Sequence, residues 1–277
     1  MTDWKQRLRE VNRPGDSRAV IAHLHPGDVS TSFSESLADT LALDRGRLLM
    51  PDGRSAVMHS FCGGGQISQG RNECAAAFLD GHPAADLLIF IDSDMGGDPD
   101  AVEFLAQTMD ATGLPILGGL CFGAKALPCQ PGEQRGHELD VFPTLYAWDE
   151  SRGGFDTKYD YPPDSLVEVG ATGAAFIMIH RRVLEAIRES EGDQWFTPVR
   201  VDDKPKPFGE DLSFCMRARK HGFPTHVHTG VKTSHHKSVW ITERTYRDLR
   251  VPSASAVTAV IPVKDNLTMT RDLLGQL

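Results

Sequence analysis

Residues 87–107, LLIFIDSDMGGDPDAVEFLAQ, leave few folds open. Five consecutive apolar residues read as a buried strand. They run straight into Asp92-Ser93-Asp94 and, past two glycines, into apolar residues at helical spacing. The same pairing of a short apolar run with a helix-period segment occurs in AVIAHLHPG and STSFSESLADTLALD (19–44) and in AVMHSFC and ISQGRNECAAAFLDG (56–81). LPILGGLCFG (114–123) adds a further strand. Strands alternating with helices at this spacing predict an α/β chain: a mixed, mostly parallel sheet flanked by helices. Ligands of such sheets bind beyond the carboxyl ends of the strands, which is where Asp92 and Asp94 fall.

The second half is less regular. Residues 124–163 are rich in Pro, Gly and charge and read as an irregular excursion over the binding edge, with one strand at VFPTLYAW (141–148). Order returns with LVEVGATGAAFIMIHRRVLEAIRES (166–190), read as strand, small-residue turn, strand and helix. GEDLSFCMRARKHGF (209–223) is a helix with an acidic first turn and a basic last turn, as the helix dipole favours. PTHVHTGVKTSHH (224–236) is extended, and TERTYRDLR (242–250) reads as a last helix. After the linker VPSASA, residues 256–277 start a new strand and amphipathic helix that the chain does not complete. The expected division is therefore one domain over 1–250 and the opening of a second over 251–277.

Composition narrows the function. A net charge of −9 argues against a surface built for non-specific nucleic-acid binding, but not against a metal-bridged anionic ligand. The five cysteines, Cys62, Cys74, Cys121, Cys129 and Cys215, form no CxxC pair, so mostly buried thiols in a reducing compartment are expected. The charged N-terminus has no apolar core of signal-peptide length and no run approaches a membrane span; the expected location is cytoplasmic.

On an extended chain, residues two apart point the same way, so Asp92 and Asp94 can present both carboxylates to one point, where a cation would be needed between them. The plain alternative is that Asp94 or Asp98 simply ends the strand and starts the next helix, since Asp is a favoured turn and N-cap residue. Three further segments converge with them: GATGAAF (170–176), GED (209–211) and the histidine-rich HVHTGVKTSHH (226–236).

Together, and in this order, these motifs resemble the nucleotide-sugar glycosyltransferases of the GT-A fold, a Rossmann-like architecture, especially the family 2 type and related phage-encoded enzymes. The resemblance spans 19–240. It implies a metal-dependent hexosyltransferase-like enzyme that moves a sugar from a nucleoside-diphosphate donor, most often a UDP-sugar, to an acceptor hydroxyl. Asp94 would bind Mn²⁺ or Mg²⁺ directly, Asp92 would lie near the ribose or the ion's waters beside Ser93, and His235, with His236 as fallback, would complete the ion's shell. Hard carboxylate oxygens and an imidazole suit such an ion, which neutralises a departing diphosphate. Arg71, in an Arg-Asn pair, would face the donor's nucleotide or phosphates. His25 and Pro26 would border the base. Gly170, Thr172, Gly173 and Ala174 would let backbone approach the sugars. Asp211 would be the base of an inverting transfer, Glu210 would orient the acceptor, and Trp195 and Phe196 would wall its pocket.

The residues keep bland readings beside these: a surface arginine for Arg71, a tight turn for 170–176, helix-end acidity for Glu210 and Asp211, core packing for Trp195 and Phe196, strand packing for His226 and His228. A second functional class is a non-catalytic sugar-nucleotide-binding or scaffold domain of a multidomain glycosyltransferase, since 257–274 looks like the start of another family 2 domain. A nucleotidyltransferase is disfavoured by the lack of a Gly-rich, Lys-containing N-terminal loop. The acceptor, whether glycan, protein or modified DNA, is not legible in the sequence.

Overall fold

The structure, a computed structural model, describes residues 17–44, 46–48, 56–61, 66–128, 137–201 and 205–237. The chain divides into two compact units, Met1–Lys125 with Asp140–Lys237, and Ala126–Leu139 with Ser238–Leu277. The expected helix over 242–250, the expected domain boundary after 250, and Cys62 and Cys129 lie outside the described residues.

Among the described residues, the first unit has five helices: α1 (Thr31–Leu43), α2 (Ile67–Gly81), α3 (Ala101–Thr112), α4 (Arg181–Glu191) and α5 (Glu210–Lys220). Local chemistry sets their ends. The Ser30 hydroxyl accepts from the Phe33 N–H at 3.1 Å and caps α1. Gly113, in the left-handed region at φ 70°, ends α3, which a glycine does without the steric cost of a Cβ. Helix α2 buries Arg71, Cys74, Ala75, Phe78 and Leu79, a helical-period stripe with one charge embedded in it.

The sheet runs β10-β13-β5-β12-β3-β1-β2, with β4 joined to β13. Its strands are β1 (Ala19–His25), β2 (Val57–Phe61), β3 (Leu87–Ile91), β4 (Met95–Gly97), β5 (Ile116–Leu120), β10 (Leu166–Val169), β12 (Phe176–His180) and β13 (Thr225–His235). Strands β1, β2, β3, β5 and β13 share one direction; β12, β10 and β4 oppose it. The mixed, mostly parallel sheet expected from the sequence is therefore present. Strand β3 is enclosed by β12 and β1, and all five of its residues are buried, which is why it has no alternation. Fully burying side chains such as Leu87, Leu88, Ile89 and Phe90 contributes about 1.5–3 kcal/mol each against the chain entropy of folding.

Two expectations change. Residues 124–163 are not mainly irregular: they carry most of a two-stranded ribbon, β6 (Phe122–Pro128) with β7 (His137–Pro143), and much of a three-stranded sheet. That sheet is β11 (Ala171–Thr172), β8 (Leu145–Asp149) and β9 (Gly154–Thr157), in that order. The single strand expected at 141–148 breaks at Thr144. Pro143 has no N–H to continue a ladder, and the Thr144 N–H goes to the Cys121 carbonyl at 2.9 Å. The second change is β4, a three-residue strand between Asp94 and α3 that is too short to show a period. Strand β13 pairs with β5 as far as His228, shifts register before Lys232, and then pairs with β4, setting His235 opposite Met95. That switch of partner carries His235 to the Asp94 turn.

Candidate active site

Strand β3 stops at Ile91, and the next four residues close a turn in which the Met95 N–H donates to the Asp92 carbonyl at 3.0 Å. The chain is therefore not extended through Asp92-Ser93-Asp94, and the two carboxylates do not share one partner. This corrects the picture of one cation held between them on a single strand face. Asp92 Oδ1 accepts from Arg71 at 2.8 Å, whereas Asp94 Oδ2 accepts from His235 Nε2 at 3.0 Å and from Lys237 Nζ at 2.7 Å. Ser93 is buried, and its carbonyl accepts from the Ser30 N–H at 2.8 Å.

Arg71 is only 2% exposed. Its guanidinium also donates to the Ala174 carbonyl at 3.1 Å, lies 3.9 Å from Glu210 and sits over the rings of Phe90 and Phe196. Burial opposes its charge, but Asp92, Glu210 and Asp211 outweigh burial and raise its pKa. The arginine thus ties the Asp92 turn electrostatically to the head of α5. Its neighbour Asn72 accepts from the Phe196 N–H at 2.7 Å and donates to Thr197 at 3.1 Å, so it anchors the segment before α5.

One ring nitrogen of the histidine beside Asp94 has a defined role. Its Nδ1 lies 2.7 Å from the Phe122 carbonyl, which can only accept, so Nδ1 carries a proton. The Asp94 hydrogen bond raises the His235 pKa, with burial opposing it. Burial alone would raise the Asp94 pKa, but His235 and Lys237 hold the carboxyl down to about 2. His236 contributes its backbone N–H to the Asp94 carbonyl at 2.8 Å. Lys237 was not singled out from the sequence; it lies two residues beyond His235, the spacing that shares a face on an extended chain.

At the head of α5, Asp211 has the opposite environment. Burial first, and the neighbouring Glu210 second, push its carboxyl up to about 6; the Leu212 N–H at 2.8 Å and Arg71 offset part of this. Gly209 lets the side chain fold back over the helix start, since a Cβ there would lie 3.0 Å from Asp211 Oδ1. Tyr146 on β8 feels the same carboxylate: burial, Asp211 and Tyr159 push its phenol up to about 12. Phe208, three residues ahead of Asp211, joins Trp148 and Phe155 in a partly exposed aromatic cluster with ring centroids 5.0–6.2 Å apart.

The turn 170–176 has its own packing reasons for small residues. A Cβ on Gly170 would lie 2.8 Å from the Trp148 backbone nitrogen, and one on Gly173 3.3 Å from Thr144. Thr172 is buried and donates to the Thr144 carbonyl at 2.8 Å; Ala174 is buried as well. Trp195 and Phe196 are fully buried and wall no open pocket, contrary to the expectation for them. Trp195 Nε1 donates to the Leu184 carbonyl, and Phe196 stacks on Phe214 with centroids 4.7 Å apart. At the end of β1, His25 is partly buried and Pro26 exposed. His25, His23 and His59 bring their rings within 5.4–6.0 Å of one another. Burial, with the other two histidines, lowers the His23 pKa to about 4. Cys74, Cys121 and Cys215 are buried, and burial pushes the last two thiols up to about 12.

No family model and no curated protein matches this sequence. Solved structures do. GalNAc-T7, solved with UDP, GalNAc and Mn²⁺, superposes with a TM-score of 0.51 at 10% identity, over 82% of this chain and 45% of its own. The chain has the GT-A fold. It spans less than half the length of that neighbour. A197 from STIV matches over 80% of this chain and 86% of its own at 17% identity, with a TM-score of 0.45. No helix among the described residues is long and apolar enough to cross a membrane.

Proposed function

We propose that this chain is a metal-dependent glycosyltransferase that moves a sugar from a nucleoside-diphosphate donor, a UDP-sugar first among candidates, to an acceptor hydroxyl. The observation that carries the reading is the pairing of Asp94 Oδ2 with His235 Nε2 at 3.0 Å, with His235 Nδ1 anchored on the Phe122 carbonyl. An imidazole whose far nitrogen donates to a carbonyl turns its near nitrogen, once neutral, into a ready ligand; this is the usual support behind metal-binding histidines. Carboxylate and imidazole together suit Mn²⁺, and Mg²⁺ is also accommodated by one or two carboxylates. Among the described residues no group of three His, Cys, Asp or Glu is placed to hold an ion, so the reading requires donor phosphates and water to complete its shell. When bound, Mn²⁺ or Mg²⁺ would supply positive charge to the diphosphate as it leaves.

The chain's own groups supply the rest of the reading. Arg71, buried and bonded to Asp92, fixes that carboxylate at the turn rather than reaching the donor's phosphates itself. Asp211, with its pKa of about 6, is ionised near neutral pH yet basic enough to take the acceptor proton, as an inverting transfer requires. Glu210 lies beside it to orient that hydroxyl, and the Trp148, Phe155 and Phe208 cluster offers an apolar face for the acceptor. His25 and Pro26 at the end of β1 border the base, with Ser93 and Gly173 behind the donor. GalNAc-T7, with its UDP and Mn²⁺, supports the donor and metal class by analogy of fold.

The test is calorimetric titration of a panel of nucleotides and nucleotide sugars, with and without Mn²⁺, against wild type and Asp94→Ala. Micromolar binding that requires both the ion and Asp94 is expected. Binding that is indifferent to both, or no binding across the panel, would overturn the reading.

A further inference from the structure

Asp94 Oδ2 holds two partners at once, and they differ in how they can respond to a divalent ion. His235 can give up its Nε2 proton and remain in place as a ligand, because Nδ1 keeps its bond to the Phe122 carbonyl. The Lys237 ammonium, 2.7 Å from the same oxygen, has three donors and no lone pair, so it cannot share the shell of an ion bound there. It also sits close enough for strong like-charge repulsion with a dication. Its side chain is 42% exposed, and Asp94 is its only polar partner among the described residues, so the arm is free to leave. Asp92 offers no second opening, since buried Arg71 already compensates it at 2.8 Å.

We propose that Lys237 is a displaceable counter-ion: it occupies Asp94 when no donor is bound, and moves to the donor's diphosphate when the ion takes its place. The inference rests on the metal reading of Asp94. Without nucleotide, an entering ion must break the charge-assisted Lys237 bond and leave the ammonium without a partner, so Lys237 opposes the ion. With nucleotide, the diphosphate brings negative charge beside the ion, where the freed ammonium pairs again, so Lys237 now favours the complex. The same side chain therefore makes ion and nucleotide each raise the other's affinity, and such coupling is reciprocal. The site would stay closed to bare divalent ions and fill with ion and donor together.

The experiment follows free Mn²⁺ by its electron paramagnetic resonance signal in titrations of wild type, Lys237→Met, Lys237→Arg and Asp94→Ala. Each is run with and without UDP and corrected for the Mn²⁺–UDP complex in solution. Without UDP, Lys237→Met is expected to bind Mn²⁺ about three- to tenfold more tightly than wild type, and Lys237→Arg no more tightly. UDP should then raise Mn²⁺ affinity by a smaller factor in Lys237→Met than in wild type. Equal or weaker Mn²⁺ binding by Lys237→Met in the absence of UDP would overturn the role of Lys237, while loss of binding in Asp94→Ala left the metal reading standing. Binding by Asp94→Ala equal to that of wild type, or no binding by any of the proteins, would overturn both.

Discussion

Asp94 and Asp211 are the same residue in two places, and the contrast between them organises the site. At the β3 turn, a histidine and a lysine converge on one oxygen of Asp94, and its carboxyl falls to about 2 although burial pushes the other way. At the head of α5, Asp211 has no cationic side chain bonded to it among the described residues, sits next to Glu210, and rises to about 6. Under the proposed function, one carboxylate is thereby kept anionic, as a cation site needs, and the other is set to accept a proton. A pair of like groups whose surroundings drive their pKa values apart is how one site divides binding from proton transfer. Arg71 lies between the two regions, bonded to Asp92 and facing Glu210 and Asp211.

Removing one side of this contrast should leave the other standing. The largest effect expected is on turnover: Asp211→Asn should lower donor hydrolysis or transfer by about 10²- to 10⁴-fold while nucleotide affinity stays within about twofold. Steady-state rates beside calorimetry decide it, and a parallel loss of binding would argue that Asp211 is structural. Next is the link between the regions. Arg71→Met leaves Asp92 and its neighbours without their buried counter-charge and should cost about 3 kcal/mol in urea unfolding. A loss below about 1 kcal/mol would show that the two ends of the site are not tied through it.

The smallest effect is also the most diagnostic, because the two aspartates carry opposite signs. The folded pKa of Asp94 lies below the ordinary 3.8, so its stabilisation is present above that pH and is lost as pH falls from about 4 towards 2. Asp211 lies above 3.8, so the unfolded chain ionises first; folding is penalised progressively as pH rises from about 4 to 6, and the penalty persists above. Asp211→Asn should therefore stabilise the protein by about 2 kcal/mol at pH 8, a Tm gain of about 4–8 °C, and by well under about 1 kcal/mol at pH 4. Asp94→Asn should destabilise at pH 7 and be neutral near pH 2. Thermal melts across pH, read for the sign of each difference, make the comparison.

Much of this frame was legible in the residues, for identifiable reasons. Strand β3 and helices α2, α3 and α5 have apolar patterns long enough to show their period, so the α/β alternation and the placing of Asp92, Asp94 and Asp211 at element ends followed. What was not legible depends on backbone partners. The turn closed by the Met95 N–H and the Asp92 carbonyl gives the two carboxylates separate partners. The shift of β13 from β5 to β4, which sets His235 on Asp94, leaves no trace in HVHTGVKTSHH, where four histidines look alike. Trp195 and Phe196 face the core because Asn72 holds the backbone of their segment, a link across more than 120 residues. Residues 124–163 hid their strands behind Pro and Gly, which mark the breaks between short strands as readily as they mark loops.

The measurement that bears most directly on the account is calorimetric titration of UDP in the presence of Mn²⁺, carried out side by side on wild type, Asp94→Ala and Asp211→Asn. Ion-dependent binding that is lost in Asp94→Ala and retained in Asp211→Asn is the expected result. Binding that survives in Asp94→Ala, or falls equally in both variants, would contradict the division of the site into a cation-holding carboxylate and a proton-accepting one.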